Sequence, residues 1–194
     1  MINPLINWPR FPLAYFVLRM NEVWEVPDED EEVVARTFLS LWPKVKTHLK
    51  SLPRGSLDDI MVEMPSASQR DQDLLDSSFY NQLWSMDMYL MNTKRFEEAY
   101  AFCQDMLDLF SWDVEDESHW IGVAGDCLWR LDPQRGEAYF KEHLSGYNET
   151  IMGYYSFNLL SENRWDDAKE ALKDYKKSKD DIIQDRLRWL KQRK

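Results

Sequence analysis

Glycine and proline are scarce in this chain of 194 residues, at six and eight. So few chain-reversing residues leave little room for the tight turns of an all-β fold. Cysteine is scarcer still. Cys103 and Cys127 have no Cys-x-x-Cys partner, which excludes a paired-cysteine zinc site, and we read both as small buried hydrophobes in a reduced compartment. The three histidines, His48, His119 and His143, show neither HxxxH nor HExxH spacing. Glycine-rich phosphate loops, nucleotide-binding fingerprints and nucleophile elbows are all missing. The longest apolar run, Phe11 to Leu18, ends at Arg19, contains Pro12 and follows Pro4 and Pro9 rather than a basic region. It is too short for a bilayer and lacks the flanks of a signal peptide, so the expectation is a cytoplasmic protein with no membrane contact.

What is present is a globular composition, 44% hydrophobic and 30% charged, far from the disordered class. A chain of this length buries roughly 70% of its unfolded surface and needs no metal or disulfide to hold a core. Nine Trp, nine Tyr and nine Phe are more rings than one modest core encloses, so some are expected on the surface or in a groove. Net charge is −11 and uneven. From Arg164 onward 11 basic and 7 acidic residues give +4, leaving 13 basic and 28 acidic residues, or −15, over residues 1–163. That balance repels nucleic acid and anionic lipid and attracts a basic protein, though solubility alone accounts for many of these charges.

Read in order, residues 1–12 form an arm bearing Pro4, Trp8, Pro9 and Phe11, with Pro12 at a first helical position. Leu13, Phe16, Val17, Met20 and Trp24 recur at helical spacing. A helix from 12 to about 25, stopped by Pro27, is the first reading, and a β-hairpin of 14–18 with 23–26 the second. Asp28 to Glu32 suits the start of a helix whose stripe is Val34, Phe38, Leu41, Val45 and Leu49, kinked or restarted at Pro43. A short helix over Ser56–Met64, capped by Ser56, follows, and 65–70 reads as a boundary. Residues 1–70 are thus an arm and helical cap, and 71–194 a body of helix pairs. The pairs are 71–92 with 95–110, 118–131 with 133–145 across Asp132-Pro133, and 149–162 with 164–177, with an acidic connection at 111–118. A closing helix over 179–192 has Ile182, Ile183, Leu187 and Leu190 inward and Arg186, Arg188, Lys191 and Arg193 outward.

Two stretches of the body read alike: Arg95-Phe96-Glu97-Glu98-Ala99 and Arg164-Trp165-Asp166-Asp167-Ala168, 69 residues apart. Gly136-Glu137-Ala138-Tyr139 is a looser copy, with Arg135 in place of the aromatic residue; the Ala spacings are 39 and 30 residues. An aromatic-x-x-Ala run opening a second helix, repeated at about twice a roughly 34-residue period, resembles the tetratricopeptide repeat family over about 71–178. Packing explains the pattern: Ala lets two helices approach and the aromatic ring fills their corner. The family's small residue in the first helix falls at Asp87, Asp126 and Ser156. The resemblance implies an all-α fold, a right-handed array of antiparallel helix pairs forming an α-solenoid, ended by a capping helix with a polar outer face.

In such arrays the first helices line the concave surface. Carried over position by position, the lining is Asn81, Trp84, Met88 and Asn92, then Trp120, Val123, Cys127 and Arg130, then Thr150, Tyr154, Phe157 and Ser161. The expected function is a non-enzymatic interaction module that binds a protein or peptide segment in an aromatic groove, without cofactor. The alternative is an acidic inhibitor or immunity-type protein that blocks a basic enzyme such as a nuclease. Any one of these aromatic residues could equally be core. Asp113, Glu115, Asp116, Glu117 and His119 lack EF-hand spacing and read as a solvated loop.

Overall fold

The computed structural model describes residues 10–24, 30–64, 67–144 and 146–192. The arm residues Pro4, Trp8 and Pro9, the stop at Pro27, the acidic pair Asp28 and Glu29, Pro65 and Arg193 lie outside the described residues. Among those described there are nine α-helices, two short 3₁₀ turns and no strand. The fold is all-α. The helices are α1 (Pro12–Trp24), α2 (Glu31–Leu49), α3 (Gln69–Asn92), α4 (Phe96–Leu109), α5 (Val114–Leu131), α6 (Pro133–His143), α7 (Glu149–Ser161), α8 (Trp165–Ala171) and α9 (Asp181–Gln192). The chain divides into two units: residues 1–95 with 105–111, and 96–104 with 112–194.

In the first unit α1 packs on α2 and α3. Phe16 meets Phe38 and Phe79 edge to face at 6.1 and 5.9 Å, and Phe38 stacks on Trp42 at 5.2 Å. The helical reading of residues 12–24 holds and the hairpin is discarded, because Leu13, Phe16, Val17 and Met20 all face this core. Helix α2 runs through Pro43 without restarting. Pro43 lacks the N–H that would bond the Leu39 carbonyl. Phe38, Trp42 and Val45 are buried on either side of it, and Asp105 takes the Trp42 indole N–H at 2.9 Å and an ion pair from Lys46. The short helix expected over 56–64 shrinks to a 3₁₀ turn at Leu57–Asp59. Ser56 caps it as expected, but Asp59 bonds back to the Ser56 N–H, a reciprocal box that closes after one turn.

The second unit is built on α5, which packs against both α6 and α7, while α9 packs on α7. The connection expected over 111–118 is shorter, ending at 113, because α5 already begins at Val114. Asp113 caps it by accepting from the Glu115 and Asp116 amides at 3.0 and 2.9 Å, and Glu115, Asp116 and Glu117 occupy the first turn, where negative charge favours the helix dipole. Asp132 caps α6 in the same way, with Pro133 as its first residue. In the core Trp129, Phe140 and Tyr155 pack together at 5.5–6.3 Å. In α6 the small residue that permits close packing is Gly136 rather than Ala138. A Cβ on Gly136 would lie 2.5 Å from the Trp129 Cα, whereas Ala138 is exposed.

The two similar stretches share one backbone geometry. Lys94 and Asn163 precede them in the left-handed region, with φ 58° and 61°. Arg95 and Arg164 follow at φ −89°, ψ 57° and φ −84°, ψ 63°. Their amides reach back to the Leu90 and Leu159 carbonyls at 2.8 and 2.9 Å. Ala99 and Ala168 are both fully buried.

Candidate functional site

Three facing contacts fix the register of α7 against the segment leading through α9. Ser178 donates to Glu149, Gly153 lies under Ile182, and the Arg186 guanidinium sits 4.9 Å from the Phe157 ring centre. The offset is 29 residues each time (178 − 149, 182 − 153, 186 − 157), so α7 and α9 run side by side in the same direction. Helix α5 flanks α7 in the same sense, with Ser118 meeting Asn148, Gly122 meeting Tyr154 and Trp129 meeting Glu162. The Tyr154 ring occupies the space a Cβ on Gly122 would need, which is how the two helices come close. That progression brings Asp126 level with Phe157.

Along these three helices lies a cavity of about 390 Å³. Helix α5 contributes His119 and Asp126, and α7 contributes Glu149, Thr150, Gly153, Tyr154 and Phe157. Asp180, Ile182 and Arg186 close the third side, and neither α6 nor α8 contributes. One end of the α7 wall carries Glu149 and the other Phe157, eight residues and hence about 12 Å apart. Three carboxylates against one guanidinium give the lining a formal charge of −2.

The charged groups differ in how they are held. Glu149 accepts from the Ser178 hydroxyl and the Tyr147 phenol, which together hold its carboxyl below the ordinary range. Asp180 caps α9 through the Ile183 amide at 2.9 Å. Asp126 is 8% exposed, and its buried Oδ1 receives no hydrogen bond among the described residues. Its cationic neighbour is the exposed Arg130, at 3.5 Å in an i,i+4 arrangement, which is a weak interaction in water. The Arg186 guanidinium lies between the rings of Phe157 and Trp189, 4.9 Å from each, and burial pushes its pKa down. On the outer flank of α9, Trp189 also borders an open cleft with Asn163, Trp165 and Gln192. Among the described residues no three His, Cys, Asp or Glu side chains converge as metal ligands.

The residues expected to line a groove are distributed over both units. Asn81, Trp84, Met88 and Asn92 belong to α3 in the first unit. There Met88 is 50% exposed, Trp84 half-buried, Asn92 donates to Glu31 at 2.8 Å, and Asn81 borders a second cavity, of about 370 Å³, with Asp58, Asp76 and Tyr80. In the second unit Thr150, Tyr154 and Phe157 line the cavity described above, and Ser161 is exposed beyond it. Trp120, Val123 and Cys127 are core and do not line a groove: Trp120 is fully enclosed and packs edge to face on Phe102 at 5.8 Å. Helix α5 presents His119 and Asp126 instead, one residue earlier than expected, which rotates the whole stripe by about 100°. Arg130 is exposed and pairs with Asp126.

Two expectations for α9 are also reversed. Ile182 is 53% exposed rather than inward, and Arg186 is half-buried rather than outward. Ile183 and Leu187 take the core-facing positions and turn 182, 186 and 189 onto the flank. No helix among the described residues is long and apolar enough to cross a membrane. Comparison with family models, with curated protein sequences and with solved structures returned no match to this chain.

Proposed function

We propose that this protein is a non-enzymatic interaction module whose second unit holds a segment of a protein partner. The observation that carries this reading is a cavity lined, among the described residues, by α5, α7 and the segment leading through α9, with the exposed Ile182 (53%) on its wall and the exposed Trp189 (42%) beside it, in contact with the lining residue Arg186. Trp, Tyr and Arg side chains carry a large share of protein-binding energy, and Tyr154, Trp189 and Arg186 stand together on this flank. Helices α5 and α7, running side by side in one direction and each followed by a shorter helix, with α9 parallel to α7 at the end, support a helical-hairpin array of the tetratricopeptide kind over this unit. An array of that kind binds extended or helical segments along its first helices.

Affinity capture tests it with the full chain and two surface variants, Ile182→Lys and Trp189→Ala. A partner retained by the unaltered protein and lost from both variants, with helical circular dichroism unchanged, is the expected result. Equal recovery by all three contradicts it.

A second reading rests on charge. The −15 carried by residues 1–163 suits an inhibitor that blocks a basic enzyme such as a nuclease, with association steered over long range. Steep weakening of partner association with salt, unaffected by Ile182→Lys, favours this reading over the cavity.

A further inference from the structure

We infer that the segment held in the α5–α7–α9 cavity is anchored by a lysine or arginine side chain whose charged head pairs with Asp126. This rests on the cavity being the partner site and adds the chemistry of its occupant.

Four observations carry it. Asp126 is buried, its Oδ1 receives no hydrogen bond among the described residues, and its ion pair to Oδ1 is with Arg130 at 3.5 Å, a half-exposed side chain that offsets little of that charge; a buried carboxylate so weakly compensated favours an incoming cation. The lining has a formal charge of −2, so a cation is drawn in and an anion opposed. Tyr154 and Phe157 line the same stretch of the cavity as Asp126, an aromatic wall suited to the aliphatic stem of a lysine or arginine. Glu149 and Asp180 serve the first turn of α7 and the cap of α9, and sit some two helical turns away. They supply field rather than a shared metal cage, which leaves an organic cation on a flexible stem as the fitting occupant. Arg186 does not block it. Its guanidinium is stacked between Phe157 and Trp189, where its N–H groups suit a backbone carbonyl of the same segment.

The test uses the full chain labelled with nitrogen-15 and titrated with short capped Gly-Ser peptides carrying one central Lys, Arg, Glu or Leu. Lys and Arg peptides are expected to shift the amides of Gly153, Tyr154 and Phe157. Asp126→Asn is expected to weaken that binding at least about tenfold, and added sodium chloride to weaken it in the unaltered protein. Glu or Leu peptides that bind there as well as the basic ones overturn the inference and leave the cavity reading standing. No response to any peptide overturns both. Shifts at the same amides on simple dilution assign the cavity to a second copy of the chain and overturn the basic anchor. If Asp126→Asn does not fold, salt decides alone: lysine-peptide binding that is indifferent to salt overturns it.

Discussion

Glu137 shows how one side chain ties two helices of the second unit. It accepts a forked pair of bonds from Arg164 at 2.6 and 3.1 Å and pairs with a second cation, Lys141, at 2.7 Å. Arg164 also lies 5.9 Å from the Trp129 ring centre. The Arg164 bond, with Lys141 behind it, holds the Glu137 carboxyl down at about 2 against an ordinary 4.5. A depressed folded-state pKa contributes stability that is complete above the unfolded value and lost as pH falls through the folded one. Glu137→Gln is therefore expected to lower the melting temperature at neutral pH. The gap from the unaltered protein should narrow between about pH 4.5 and 2. A gap constant across that window contradicts the assignment. Residue packing also tests the register of α6. Gly136→Ala places a methyl against the Trp129 backbone and is expected to cost about 1–3 kcal/mol, whereas Ala138→Ser, at an exposed position, is expected to stay within about 0.5 kcal/mol. Urea unfolding of the two variants checks both.

At the scale of elements, the repeated corner is the feature most plainly written in the sequence. Arg-aromatic-acid-acid-Ala after a polar corner produced two left-handed residues, Lys94 and Asn163, with nearly identical φ. Asn adopts that region at lower cost than Lys. Lys94→Gly is expected to stabilise by about 0.5–1 kcal/mol and Asn163→Gly to change little; equal effects in denaturant titrations contradict the shared corner. Helix identity was legible because apolar residues recur at 3.6-residue spacing and Asp132-Pro133 punctuates α6. The start of α5 was not: Glu115, Asp116 and Glu117 resemble a solvated loop until Asp113 is seen to cap them. At Pro43 the helix continues rather than restarting, since burial on both sides of it outweighs one lost hydrogen bond.

At the scale of the whole molecule, the sequence carries an all-α fold and a strongly divided charge, and both follow from composition and periodicity. Side-chain direction was harder to read. Tyr154 and Phe157 line the cavity at the positions the family resemblance gives them, but α5 is rotated by one residue, so Trp120 and Val123 are core and Asp126 takes the wall. A one-residue phase is invisible where repeat spacing alternates between 39 and 30 residues. Arg186 was unreadable for a related reason: its place between Phe157 and Trp189 depends on α9 lying parallel to α7, a relation set by long-range packing and absent from local pattern.

The cavity as a partner site is tested most directly by a photo-crosslinking residue placed at position 182 of the full chain and exposed to light in its native cells. The same residue at Met61, 67% exposed in the first unit, serves as control. One discrete protein adduct from position 182, absent at 61 and abolished by Phe157→Ala in the same chain, is the expected result. No adduct at 182, or the same adducts from both positions, would contradict it.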